Sequence, residues 1–274
     1  MKKTVVASGS EAYMDPTGLH GTLIASRRLQ QRRKKTRWNR SGGIMHLAID
    51  TLRNDTPGCQ HVLHFNNAGA SLSPMPIDVK KIGCDFLCAT GRKFLRGPRG
   101  TGFLYARKDI ISHYDPPFID LHAAQWSADN EYILHPDARR FETWEQNIAA
   151  KIGLGVAIDY ALALGMPAIW ARVQHLATLL RQQLAEVPSL QLHDLGIKKC
   201  GIVTFSSQKK SVQAIRQHLA DKQINVSISR QEYARLDLVR RNLPAVIRAS
   251  VHYYNTEEEI YTFCKEMDIF LNQR

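Results

Sequence analysis

No stretch of this 274-residue chain is apolar for long enough to cross a bilayer, so the sequence predicts no membrane span. The opening residues, MKKTVVASGSEAYMD, are basic but lack a sustained apolar run, so no secretory leader is expected. Cysteine is scarce. Cys59, Cys84, Cys88, Cys200 and Cys264 are odd in number and show no zinc spacing, which fits reduced thiols in a cytoplasmic protein. His113, His122 and His135 stand too far apart to form a metal set and read as ordinary surface or satisfied histidines. Acidic residues are missing altogether between Pro16 and Ile49.

That gap holds eight bases: Arg27, Arg28, Arg32, Arg33, Lys34, Lys35, Arg37 and Arg40. They account for most of the net charge of +12, leaving +4 on the rest of the chain. The basicity belongs to one stretch and does not make the whole protein a nucleic-acid binder. Residues 1–44 are expected to form a disordered basic arm, either a solvated tail or sequence ahead of a start at Met45. A competing function is RNA binding through residues 27–40, with Trp38 stacking on a base. Apolar residues make up 44% of the chain, enough for a packed core in one large or two modest domains.

The most informative stretch is Ala89–Tyr105, ATGRKFLRGPRGTGFLY. Apolar runs at Cys84–Ala89 and Gly102–Ala106 flank a loop with Gly97, Pro98, Gly100 and Gly102, predicting strand, turn, glycine-rich loop, strand. Lys93 sits at the turn. A lysine amine captures an aldehyde cofactor when a cationic or desolvated pocket keeps it neutral. Arg92, Arg96 and Arg99 supply that positive charge, and with Thr90 they also suit a phosphate. The glycines are expected to let backbone approach a bulky ligand. The plainer alternative is a basic surface loop between two strands.

This stretch resembles the cofactor-lysine region of the class V aminotransferases, fold-type I enzymes dependent on pyridoxal 5'-phosphate (PLP). That family has Ser-x-His-Lys followed by Gly-Pro-x-Gly-x-Gly-x-Leu. Thr90, Arg92 and Lys93, then Gly97, Pro98, Gly100, Gly102 and Leu104, match it, with Ser changed to Thr and His to Arg. The resemblance implies an α/β fold with a large cofactor domain and an α+β small domain. It makes Lys93 the Schiff-base lysine and Thr90 and Arg92 the phosphate ligands. FNNAGASLSP resembles the family's amino-terminal active-site segment and brings in Asn67 as a substrate-site residue. RRFETWEQN is similar to the Arg-x-Glu-x-Gly-Thr-x-Asn signature at Arg140, Glu142 and Asn147. Trp144 and Glu145 replace the Gly-Thr pair whose threonine contacts the partner subunit's phosphate. AVIRASVHYYNTEEEI resembles the family's end motif and places Arg248 where the substrate carboxylate binds, a role suited to a planar guanidinium.

One departure stands out. Pro74-Met75-Pro76 runs directly into the lysine segment, leaving no room for most of the family's cofactor domain. The part that stacks on the ring and pairs with its nitrogen is missing, and neither Asp78 nor Asp85 is assigned that role. The chain therefore reads as a member with an internal deletion. Residues 1–44 form the arm, 45–165 a remnant of the PLP-binding large domain, and 166–274 the small domain.

Helices are expected over Ile148–Leu164 and from Pro167 to about Val187. Beyond them the pattern predicts strands at Gly201–Ser206, Ile224–Ser229 and Ala245–Val251 and helices at Lys210–Lys222 and Thr256–Leu271. Thr256 and Glu259 read as a capping box. Ile110–Asn130 reads as loop. The stretch INVSISRQEYARLDL carries no cysteine where desulfurases need a nucleophile. That leaves aminotransferase, epimerase or lyase chemistry on an amino acid, in a homodimer whose sites are shared. An inactive remnant serving as a dimerisation or interaction module is the other reading.

Overall fold

The computed structural model describes residues 6–7, 48–54, 63–64, 75 and 77–272. In chain order the strands are β1 (Val6–Ala7), β2 (Leu63–His64), β3 (Phe86–Thr90), β4 (Gly102–Ala106), β5 (Ala124–Ala128), β6 (Glu131–Leu134), β7 (Leu190–Leu192), β8 (Ile202–Ser207), β9 (Ile224–Asn225), β10 (Ser227–Arg230) and β11 (Ala245–Ser250). The helices are α1 (Ile49–Asn54), α2 (Val79–Ile82), α3 (Ile148–Leu164), α4 (Met166–Ala185), α5 (Val212–Asp221), α6 (Arg235–Leu238) and α7 (Glu257–Asn272). They group into two compact units, one of residues 1–46 and 77–163, the other of 47–76 and 164–274.

In the first unit β3 and β4 form an antiparallel hairpin, Phe86 opposite Ala106 and Thr90 opposite Gly102. β1, inside the stretch expected to be an arm, adds to the free edge of β4. The small core is Ala106, Ile111 and Ala138 with Phe86 and Phe141 against them. Arg140 closes it. Its buried guanidinium donates to the carbonyls of Ile111 (2.7 Å), His135 (2.8 Å) and Tyr114 (3.2 Å).

The stretch read as loop, Ile110–Asn130, is more ordered than its composition suggests. It holds the end of a 3₁₀ turn and β5, which pairs with β6 in a hairpin bulged between Trp126 and Ala128. Asp120 organises the approach, accepting from the backbone N–H groups of His122 (2.8 Å), Ala123 (3.2 Å) and Trp144 (2.7 Å). Such contacts between distant segments leave no local periodicity to read.

The second unit is an antiparallel sheet, β10-β11-β8-β7, covered by helices. α4 buries Ile169, Val173, Leu176, Ala177, Leu180 and Leu184, a helical stripe, and α7 buries Ile260, Phe263, Met267 and Leu271. Pro167 lies in the first turn of α4, where its missing N–H costs nothing. The capping box at α7 forms in both directions: Glu259 N–H donates to Thr256 Oγ1 (3.2 Å) and Thr256 N–H to Glu259 Oε2 (3.1 Å). The expected strand Ile224–Ser229 is broken at Val226 into β9 and β10, and β9 pairs in parallel with β2. No single helix among the described residues is long and apolar enough to cross a membrane.

Candidate functional site

Lys93 stands in the turn after β3, half-buried, between buried Gly91 and buried Phe94. The turn is closed by its own backbone. Gly91 N–H donates to Thr101 O (2.8 Å), Gly97 N–H to Gly91 O (2.8 Å) and Arg96 N–H to Lys93 O (2.9 Å). Thr101 Oγ1 donates to Pro98 O (2.7 Å).

The glycines do a different job from the one expected. A Cβ on Gly102 would meet Ala89 O at 2.2 Å, and one on Gly91 would meet Thr101 Oγ1 at 2.5 Å and Leu154 Cδ1 at 2.6 Å. One on Gly97 would meet Leu154 at 3.0 Å. These three glycines admit neighbouring protein and not a ligand. Gly100 is glycine for another reason, its φ of +79°.

The expected basic ring around Lys93 also divides. Arg96, with φ +58°, lays its guanidinium over the Tyr160 ring, 5.2 Å from the centroid. Arg92 is exposed and has no hydrogen bond or ion pair among the described residues. Among the described residues the half-buried Thr90 hydroxyl has only a long contact, 3.5 Å to Thr101 O. Arg92 and Thr90 are thus available to an anion beside the lysine, which fits the phosphate end of PLP.

The ring end is not matched in the same way. Asp78 caps α2, accepting from Lys80 N–H (3.0 Å) and Lys81 N–H (3.3 Å). Asp85 pairs with Arg107 at 2.9 Å. Neither is free to face a ring nitrogen. Asn67, assigned to the substrate site by resemblance, lies outside the described residues, as do Cys59, Trp38 and the eight bases of the arm.

Arg248 lies in the second unit, half-buried on β11 opposite Ser227 and Thr204. Its Nε donates to Ser227 Oγ at 3.0 Å. No carboxylate lies within ion-pair distance among the described residues, so the salt bridge that would make it a purely structural arginine is not there. Burial pulls its pKa down. The rest of that motif is structural: Asn255 Oδ1 accepts from His252 N–H (2.8 Å), its Nδ2 donates to Glu259 Oε2 (2.8 Å), and Arg53 Nη1 pairs with Glu259 Oε1 (2.6 Å).

The structure adds a cleft at the RRFETWEQN stretch, which the sequence matched as a motif without marking a cavity. It measures about 290 Å³ and is lined by Thr101, Glu142, Glu145, Gln146, Asn147 and Lys151, among others. Glu142 is buried, its Oε2 lies 2.9 Å from His122 Nε2, and its Oε1 has no hydrogen bond among the described residues. Desolvation lowers the Lys151 pKa, opposed by the charge of Glu142. Glu142 and His122 are 20 positions apart, so no local pattern links them. Among the described residues no group of three or more metal-ligating side chains comes together. Of the described thiols, Cys88 is exposed and Cys264 is buried, its pKa pushed up to about 12 by desolvation.

Comparison with known proteins agrees with this architecture. The family model for class-V aminotransferases matches residues 54–263. A probable cysteine desulfurase of Xylella fastidiosa is 33% identical over 189 residues, covering 68% of this chain and 44% of the relative. The apo structure of a cysteine desulfurase from Thermococcus onnurineus NA1 superposes with a TM-score of 0.68 at 26% identity, covering 85% of this chain and 57% of that one. A mutant of C-DES, with glycine covalently linked to its PLP cofactor, superposes with a TM-score of 0.62 at 23% identity, covering 73% of this chain and 49% of that one. The chain spans about half the length of the curated relatives it matches. With its lysine turn, its small-domain sheet and a family match over most of its length, this chain belongs to the class-V aminotransferases and has the fold-type I architecture of PLP-dependent enzymes.

Proposed function

We propose that this chain is a PLP-dependent protein of class V type that acts on an amino acid. Residues 45–165 are the remnant of the cofactor domain and residues 166–274 the small domain. Lys93 holds the cofactor's aldehyde carbon, and Thr90 and Arg92 hold its phosphate. PLP when bound supplies an electron sink for bonds at the amino acid's α-carbon. Arg248 takes the substrate carboxylate, and Asn67 belongs to the substrate site by resemblance.

The observation that carries this reading is Arg248. A half-buried guanidinium whose only side-chain partner among the described residues is a serine hydroxyl is poorly compensated, and a carboxylate would complete it. The relatives' names bring sulfur transfer from cysteine into consideration. Against it, residues 224–238 carry no cysteine and the buried Cys264 thiol stays protonated. Aminotransferase, epimerase or lyase chemistry suits these residues better. A homodimer fits α3, which leaves Ile148, Ile152, Val156 and Leu162 exposed on a helix that buries Leu154 and Ala161. A second reading, an inactive remnant serving as an interaction module, is favoured by the engagement of Asp78 and Asp85 elsewhere.

The test is PLP titration of the purified chain, followed by its visible absorption beside Lys93→Ala. A lysine-dependent visible band, with amino-acid binding weakened at least tenfold in Arg248→Met, supports the enzyme reading. Identical spectra in the two proteins would leave only the interaction module.

A further inference from the structure

β3 stands at the edge of its sheet, in the order β1-β4-β3. Its register with β4 decides which of its backbone groups are used. Arg107 N–H donates to Asp85 O (2.8 Å) and Gly91 N–H to Thr101 O (2.8 Å). Both bonds continue the register that sets Phe86 opposite Ala106 and Thr90 opposite Gly102. Asp85, Leu87, Ala89 and Gly91 therefore turn their backbone polar groups toward β4, and Phe86, Cys88 and Thr90 turn theirs the other way. The backbone groups of these three have no hydrogen bond among the described residues.

An open edge is a template for another strand, and proteins usually block it with charge, proline or a bulge. Phe86–Thr90, FLCAT, has no charge, no proline and an unbroken register. Cys88, at its centre, is exposed. The edge is also complementary to itself. Turned end for end about Cys88, Phe86 meets Thr90, Cys88 meets Cys88 and Thr90 meets Phe86, and each pair can exchange two hydrogen bonds. The flanking charges favour this sense. Asp85, half-exposed beside Arg107, precedes the strand, and the exposed Arg92 follows it without an ion pair among the described residues. Antiparallel pairing brings the acid end of one strand to the basic end of the other, whereas parallel pairing sets like beside like.

We infer that two copies of this chain pair through the free edges of their β3 strands, antiparallel and centred on Cys88. The two three-stranded sheets then become one. This contact is separate from the exposed face of α3. It uses backbone groups, so the Cys88 thiols still stand off the face of the sheet.

Residue-resolved hydrogen exchange of the full chain tests this, because alternate amides report the two edges of one strand. Leu87 and Ala89, bonded to β4, should stay protected at every concentration. Phe86, Cys88 and Thr90 should exchange at least tenfold more slowly in concentrated protein than after hundredfold dilution. Cys88→Lys and Cys88→Glu, at an exposed position, each set like charges opposite one another. Each should free the amides at 86, 88 and 90 and halve the mass seen by light scattering, whatever α3 contributes, while Leu87 and Ala89 stay protected. An equimolar mixture of the two variants should recover both the mass and the protection. Free exchange of the three amides at every concentration would overturn the inference. So would equally slow exchange at every concentration, because the chain's own residues then cover the edge. So would single variants that keep the full mass, or a mixture that stays apart.

Discussion

The two units of this chain bury their apolar residues very differently. Among the largest fully buried side chains, Phe205, Phe263, Leu176, Leu180, Leu184, Ile215, Leu219, Ile224, Ile247 and Leu52 all belong to the unit of residues 47–76 and 164–274. Leu154 alone represents the other unit. That unit exposes Phe118, Leu121, Trp126, Ile133, Trp144 and Ile152 to more than half of their surface; the second unit also exposes Leu195, Ile197, Tyr233 and Leu236, but around a full core. The contrast follows from what each has to pack against. The small-domain sheet has helices to cover it, whereas the lysine hairpin stands in a three-stranded sheet, order β1-β4-β3.

Four measurements break or sharpen this contrast, the largest effect first. Phe263→Ala should cost ~3–5 kcal/mol in chemical denaturation, because it empties a core that cannot collapse. Ile133→Ser, on the exposed hairpin, should change stability by no more than ~0.5 kcal/mol; equal costs would erase the distinction. Arg181→Met comes next. Its guanidinium pairs with buried Asp194 at 2.5 Å and donates to the carbonyls of Cys200 (2.8 Å) and Ile202 (2.9 Å). Stranding that carboxylate should cost ~3–5 kcal/mol, and Arg181→Met with Asp194→Asn should recover part of it.

The third effect is a pH dependence. The hydrogen bond from Arg172 holds the Glu257 carboxyl down at about 2, against an ordinary 4.5. A depressed acid stabilises the folded state above its unfolded pKa and loses that contribution as pH falls through the folded value. The stability difference between the unaltered protein and Arg172→Met should therefore narrow between pH 5 and pH 2, modestly, since Glu257 is 40% exposed. A difference that stays flat with pH would assign the arginine's effect to its bond with Asn255 O (2.7 Å). Last, a thiol reagent at neutral pH should label Cys88 readily and Cys264 only after unfolding, with no change in stability before labelling.

Much of this architecture was legible because it is local. The strand-turn-strand around Lys93, the break at Gly165 and the box at Thr256 and Glu259 depend on residues within a few positions of one another. The illegible parts depend on distant partners. The β5–β6 hairpin has weak alternation and is organised by Asp120, whose contact with Trp144 spans 24 positions. Arg96 looked like one more cation beside the lysine, yet Tyr160 takes it. The glycines looked like a ligand cradle because their spacing is the same whether the approaching group is a cofactor or Leu154.

Gly102 fixes how the β3–β4 hairpin closes. With only 2.2 Å between the carbonyl of Ala89 and a would-be methyl at that position, the hairpin closes on itself, backbone against backbone. The position of Lys93, in the turn that this closure fixes, is then set by the chain's own backbone. On the role proposed for Lys93, a change in the identity of its guest would leave the anchor where it is.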